Sequence, residues 1–173
     1  VDTRGHGKSP RGGAPFTLEQ FARDLKGLLD HLELRPVLLL GFSDGANTAL
    51  LFALHWPEYV GALILNGGNL DPGGVKLGVQ LPICLGYGLV SLFALFDPGA
   101  RSKKELLGLM VNQPHMDPGS LSAIRCPTLV IAGERDMIRE AHTRLIARSI
   151  PGARLVILPG NHFVAHENSA AFN

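Results

Sequence analysis

The sequence predicts an α/β fold: a parallel sheet with helices on both faces and a helical insertion. Three observations carry that reading. Short, uncharged, mostly apolar runs recur at Val37–Leu40, Val60–Leu65, Thr128–Ala132 and Leu155–Leu158, the first of them wholly apolar, as in a parallel strand covered on both faces. Segments with apolar residues at helical spacing lie between them. Strand and helix alternate, the order that a parallel sheet with right-handed crossovers imposes. Of 173 residues, 46% are hydrophobic and 18% charged, which supplies a core and argues against disorder, and the length suggests one domain.

The chain opens at Val1, not Met, on a turn-like string, Asp2-Thr3-Arg4-Gly5-His6-Gly7-Lys8-Ser9-Pro10, which reads as the middle of a domain. No charged segment followed by an apolar run and a small-residue cleavage site marks a signal peptide. Thr17 and Gln20 then stand at capping-box spacing. Leu18, Phe21, Ala22, Leu25, Leu28, Leu29 and Leu32 follow at helical spacing, and Arg35-Pro36 is expected to end that helix. A strand at Val37–Leu40 leads to a helix from about Ala46 to His55, closed by Pro57. The strand Val60–Leu65 precedes a long interval, about 69 to 122, too long for a simple connection and expected to form a lid over a site. A strand at Thr128–Ala132, a helix around Ile138, Ala141, Leu145 and Ile146, and a strand at Leu155–Leu158 complete the pattern.

Within the interval, residues 77–96 carry no charge and approach the roughly 20 residues of a spanning helix. Gly78, Gln80, Pro82, Gly86 and Gly88 are expected to break the stretch into shorter pieces that cover a core or a pocket, as an apolar ceiling. The formal net charge of +1 gives no global pull toward nucleic acid or anionic lipid, and no partner of either kind is expected. Cys84 and Cys126 are far apart and form no C-x-x-C pair, so neither a disulfide scaffold nor a structural zinc is expected. They read as buried thiols of a cytoplasmic protein. No G-x-G-x-x-G or P-loop is present, and no metal or cofactor is expected.

Gly41-Phe42-Ser43-Asp44-Gly45 fits G-x-S-x-G, with an apolar strand before it and a helix after. A serine there sits on a strained turn with its hydroxyl projecting from the sheet's end. Gly41 and Gly45 are expected to be required because a Cβ at either would collide as strand and helix close up. The backbone N–H of Asp44, at a helix N-terminus, points to where an oxyanion would form. A serine hydroxyl needs a base, and that base a carboxylate to orient it. His162 follows the strand Leu155–Leu158 through Pro159-Gly160-Asn161, and Asp136 follows Thr128–Ala132 through Gly133-Glu134-Arg135, both at the edge that carries Ser43. Glu134 and Asp71 are the other carboxylates considered. His6, His31, His55, His115, His142 and His166 are less favourably placed.

Four ordered motifs resemble the α/β-hydrolase superfamily. Asp2 to Ser9 resembles that family's D-x-R-G-x-G-x-S turn, Gly41 to Gly45 its nucleophile elbow in the G-x-S-D-G variant, and Gly133-Glu134-Arg135-Asp136 and Gly160-Asn161-His162-Phe163 its acid and base loops. The resemblance implies the C-terminal part of the family's sheet: residues 1–68 carrying the elbow, 69–122 a lid, and 123–173 the acid and base loops. Asp2 and Arg4 would then fix the opening turn. Four strands and the loop with the second oxyanion donor are expected before Val1, and a final helix beyond Asn173. The implied activity is a serine hydrolase acting on small apolar carboxylic esters through an acyl-enzyme, with Ser43, Asp136 and His162 as the catalytic residues. Lactones, aminoacyl esters or carbon–carbon bonds next to a carbonyl are alternatives, as is an inactive ligand-binding piece.

Overall fold

The computed structural model describes residues 1–173, the side chain of Pro98 excepted. Helix α1 (Leu18–His31) starts where Thr17 Oγ1 accepts the Gln20 N–H at 3.1 Å and buries Leu18, Phe21, Ala22 and Leu29. It stops before Arg35-Pro36. Glu33 takes a positive φ of 54°, and the Leu34 N–H turns back to the Leu29 carbonyl, closing the helix in a Schellman arrangement. Strand β1 (Val37–Phe42), helix α2 (Asp44–His55) and strand β2 (Val60–Asn66) follow. After the insertion come β3 (Thr128–Gly133), α5 (Glu140–Ser149), β4 (Arg154–Leu158) and the short helices α6 (Val164–Glu167) and α7 (Ser169–Phe172).

The four strands form one parallel sheet in the order β1-β2-β3-β4. Phe42 pairs with Asn66, Asn66 with Ile131, and Gly133 with Leu158, so the strands finish at a common edge. Every candidate catalytic residue follows one of those ends. Phe52 and Leu50 of α2 and Leu63 and Leu65 of β2 are fully buried at the centre of the core. β1 is an edge strand whose Leu38 and Leu40 are exposed. They face a cavity of about 640 Å³ bounded also by Arg4, Phe21 and Leu28.

The opening turn is fixed by its own side chains. Arg4 donates two hydrogen bonds to the Asp24 carboxylate, at 2.6 and 2.5 Å, and the Asp2 carboxylate accepts the Lys8 N–H at 3.0 Å.

The insertion corrects one expectation. Residues 77–93 form a single helix, α3 (Leu77–Phe93), with Pro82 inside it, followed by α4 (Pro98–Asn112). One proline removes one ladder bond, and glycine costs about 1 kcal/mol per position. Packing against α4 offsets both: Gln80 Nε2 donates to the Met110 carbonyl at 3.2 Å, and Tyr87 lies over Gly108. Among the described residues no helix is long and apolar enough to cross a membrane. Cys84 and Cys126 are free thiols but half-buried, not buried as expected.

Candidate active site

Ser43 lies between β1 and α2 with φ 54° and ψ −121°, a region that costs a non-glycine residue about 1–3 kcal/mol and persists only where the surroundings hold it. The Ser43 N–H donates to the Asn66 carbonyl at 2.9 Å, and the Ser43 carbonyl accepts from Ala46 and Asn47. Asp44 is the first residue of α2, so its N–H has no intrahelical partner.

The two elbow glycines differ. A Cβ on Gly41 would stand 2.3 Å from the Gly45 carbonyl oxygen and 2.6 Å from the Ala46 Cα. A Cβ on Gly45 meets nothing within 4 Å, which corrects the expectation that both glycines are sterically required. Gly45 faces the open cavities beside β1, whereas Gly41 is pressed against the helix backbone. Gly45→Ala should therefore leave the thermal midpoint unchanged or raised by up to a few degrees, since alanine is the better helix residue. A melt followed by circular dichroism checks this.

Asp136 and His162 meet. His162 Nδ1 lies 2.8 Å from Asp136 Oδ1, with both side chains buried. Burial by itself would raise the Asp136 carboxyl, but hydrogen bonds from His162 and from the Ile138 N–H, at 2.9 Å, prevail and hold it below the usual carboxylate range. An ionised carboxylate only accepts, so Nδ1 carries the proton, and in the neutral imidazole Nε2 is the nitrogen with the lone pair. The imidazole is seated on Gly67, where a Cβ would come within 2.7 Å of Cε1, and against the Phe42 ring at 4.8 Å between centroids. Ser43 is adjacent to Phe42 and bonded to Asn66, the neighbour of Gly67, so the three residues share one corner of the sheet edge. Among the described residues no hydrogen bond joins Ser43 to His162.

The other candidates go elsewhere. Asp71 Oδ2 lies 3.9 Å from His142 Nε2, and Glu134 is exposed. His6, His31, His55, His115 and His166 are exposed, with His55 beside Glu19 at 3.1 Å. His142 is buried and accepts the Leu70 N–H at Nε2, at 2.9 Å, so it braces the start of the insertion against α5.

That bond sets a pH dependence. Burial lowers the His142 pKa below its ordinary 6.5, so the unfolded chain binds this proton more readily than the folded one. Its contribution to stability is present above about pH 6.5 and is lost as the pH falls through the lower folded value. The thermal midpoint should drop between pH 7.5 and 5.5, and His142→Gln, whose Oε1 can accept the same N–H without titrating, should flatten that drop.

Sequence reasoning missed several contributors. Asn47, fully buried, donates to Asn69 Oδ1 and accepts the Asn69 N–H, tying α2 to the segment after β2. The Asp44 side chain also went unread. Burial pushes its carboxyl upward, against a hydrogen bond from Asn47, and it borders a cavity of about 310 Å³ with Ser43, Phe42, Thr3 and His6. Among the described residues, none from the insertion lines that cavity. The Gly67-Gly68 pair directly after β2 was the available signal for the His162 seat.

Residues 1–97 match the family described as alpha/beta hydrolase fold. A 2-hydroxy-6-oxononadienedioate/2-hydroxy-6-oxononatrienedioate hydrolase of Cupriavidus pinatubonensis is 32% identical over 214 aligned positions, spanning 100% of this chain and 72% of its own length. The human serine hydrolase BPHL is 28% identical over 93% of the chain, which spans about three-fifths (61%) of that relative's length. Among solved structures, a hydrolase from Pseudomonas aeruginosa PA01 superposes with a TM-score of 0.76 at 29% identity, covering 99% of this chain and 74% of that one. With a family match over more than half its length and a relative above 30% identity along all of it, this chain belongs to the alpha/beta hydrolase fold family.

Proposed function

We propose that the protein is a serine hydrolase cleaving small, largely apolar carboxylic esters through an acyl-enzyme. The observation that carries this is the buried, ionised Asp136 holding His162 in the Nδ1–H tautomer at the sheet edge where Ser43 sits in its strained turn. In this reading His162 Nε2 takes the Ser43 proton as Oγ attacks the ester carbon, and the Asp44 N–H donates to the oxyanion. His162 then gives the proton to the departing alcohol, and the acyl group stays on Oγ. Water, deprotonated by the same nitrogen, attacks the acyl carbon, and as the acid leaves His162 returns that proton to Ser43 Oγ. No cofactor enters, residues 69–122 act as a lid that stands back from the Ser43 cavity, and the free thiols fit a reducing, cytoplasmic setting.

A second reading, hydrolysis of a carbon–carbon bond in a dicarboxylate, is favoured by the Cupriavidus relative's name. Against it, the cavity at Ser43 is lined by Asp2 and Asp44 and, among its described lining residues, by no lysine or arginine side chain to hold a dianion. The test is a side-by-side assay of p-nitrophenyl butyrate and a 2-hydroxy-6-oxo-dienedioate. The ester is expected to be turned over at the higher kcat/KM; turnover of the dienedioate alone would overturn the ester reading in favour of the second.

A further inference from the structure

We propose that Phe42 and Phe163 bind the alcohol half of the ester and select a flat, aromatic one such as a benzyl group. This rests on the ester-hydrolase reading and adds the substrate's leaving group to it. Three rings meet at the catalytic base. The Phe42 centroid is 4.8 Å from that of the His162 imidazole and 5.7 Å from that of Phe163, and the Phe163 centroid is 5.6 Å from the imidazole. The interplanar angles of 43°, 51° and 78° are the tilted and edge-on arrangements that aromatic pairs favour.

Neither phenyl ring is consumed by the core. Phe163 is 59% exposed, while its neighbour Val164 is fully buried and seats α6 in the interior. The position of Phe163 is nonetheless fixed: its N–H donates to Asn161 Oδ1 at 2.7 Å, and the Asn161 N–H donates to Glu167 Oε2 at 2.9 Å. Phe42 is 37% exposed and lines the cavity at Ser43. Asp2, Thr3, His6 and Asp44 make other parts of that wall polar, so an apolar group is better received at Phe42.

The chemistry decides which half of the ester lies there. As the acyl-enzyme forms, His162 Nε2 passes its proton to the departing oxygen, which must therefore come within about 3 Å of it. The group carried on that oxygen lies beside the imidazole and its two phenyl neighbours, whereas the acyl carbon is bonded to Ser43 Oγ. A benzyl ring can form a further tilted pair with each phenyl ring; a cyclohexyl ring of similar area gains burial alone.

Initial rates with the butyrate esters of benzyl alcohol and cyclohexylmethanol, each divided by its hydroxide-catalysed rate, test this. The kcat/KM ratio should favour the benzyl ester at least about tenfold, fall below about threefold in Phe163→Leu and in Phe42→Leu, and return in Phe163→Tyr. Phe42→Leu also loosens the seat of His162 and slows both esters, so the ratio is what is read. Equal kcat/KM for the two esters, or a ratio that survives Phe42→Leu/Phe163→Leu, overturns the proposal. So does an aromatic preference confined to the acyl half, methyl phenylacetate over methyl cyclohexylacetate. Binding to Ser43→Ala, followed by ligand-observed NMR, separates the subsite from turnover. Benzyl butyrate should bind at least about tenfold more tightly than cyclohexylmethyl butyrate, and equal affinities overturn the subsite. The affinity difference without turnover of either ester by the wild-type chain would overturn the ester-hydrolase reading and leave the aromatic subsite standing.

Discussion

Replacing Ser43 with alanine is expected to lower kcat for p-nitrophenyl butyrate at least a thousandfold while leaving the fold in place. The loss follows from chemistry: an alanine has no Oγ to form the acyl bond, and only the oxyanion donor and binding remain to assist water. The preserved fold follows from packing. Ser43 is half-buried, its side chain caps no helix hydrogen bond, and its strained backbone is held through main-chain bonds to Asn66, Ala46 and Asn47 that alanine keeps. Stopped-flow or plate kinetics beside a thermal melt reads both quantities. A variant that retained more than a tenth of the wild-type rate would show that Oγ is not the nucleophile.

Gly41→Ala should have the largest effect on stability. The atoms a Cβ would strike are backbone: the Gly45 carbonyl oxygen at 2.3 Å, its carbon at 2.5 Å and the Ala46 Cα at 2.6 Å. No side-chain rotation relieves these contacts, so β1 and α2 must separate, and Ser43 lies on the turn that joins them. Overpacking of this kind costs about 3 kcal/mol or more, a fall in Tm of roughly 6–12 °C for a chain of this size. Gly45→Ala, four residues on in the same motif, should cost nothing comparable. A melt in which the two variants behaved alike would contradict the elbow geometry.

Much of the fold was legible in the sequence because its causes are local. Four uncharged apolar runs became four parallel strands, and Thr17 capped α1 through Gln20 as its spacing implied. Where the cause lies elsewhere in the chain, the sequence reading went astray. α1 stops at a non-glycine residue with positive φ, Glu33, which carries no compositional mark. Pro82 and three glycines suggested broken pieces, yet α4 supports one continuous α3. Gly45 was read with Gly41 as a matched pair, although only one of them touches the helix backbone.

The candidate site shows the same division. Asp136 and His162 could be selected because each directly follows a strand end, and parallel strands finish at one edge. The seat for the imidazole on Gly67 and Phe42, the Asn47–Asn69 tie and the His142 brace on Leu70 are contacts between segments distant in sequence. They depend on how β2, α2 and α5 pack, which no single stretch encodes.

In the proposed mechanism Ser43 is a nucleophile activated by His162 under the hold of Asp136. Labelling the protein with a fluorophosphonate and mapping the modified peptide by mass spectrometry tests it most directly. One adduct is expected, on Ser43, absent from Ser43→Ala and formed far more slowly in His162→Ala. No adduct on the wild-type protein, or an adduct that persists in Ser43→Ala, would contradict it.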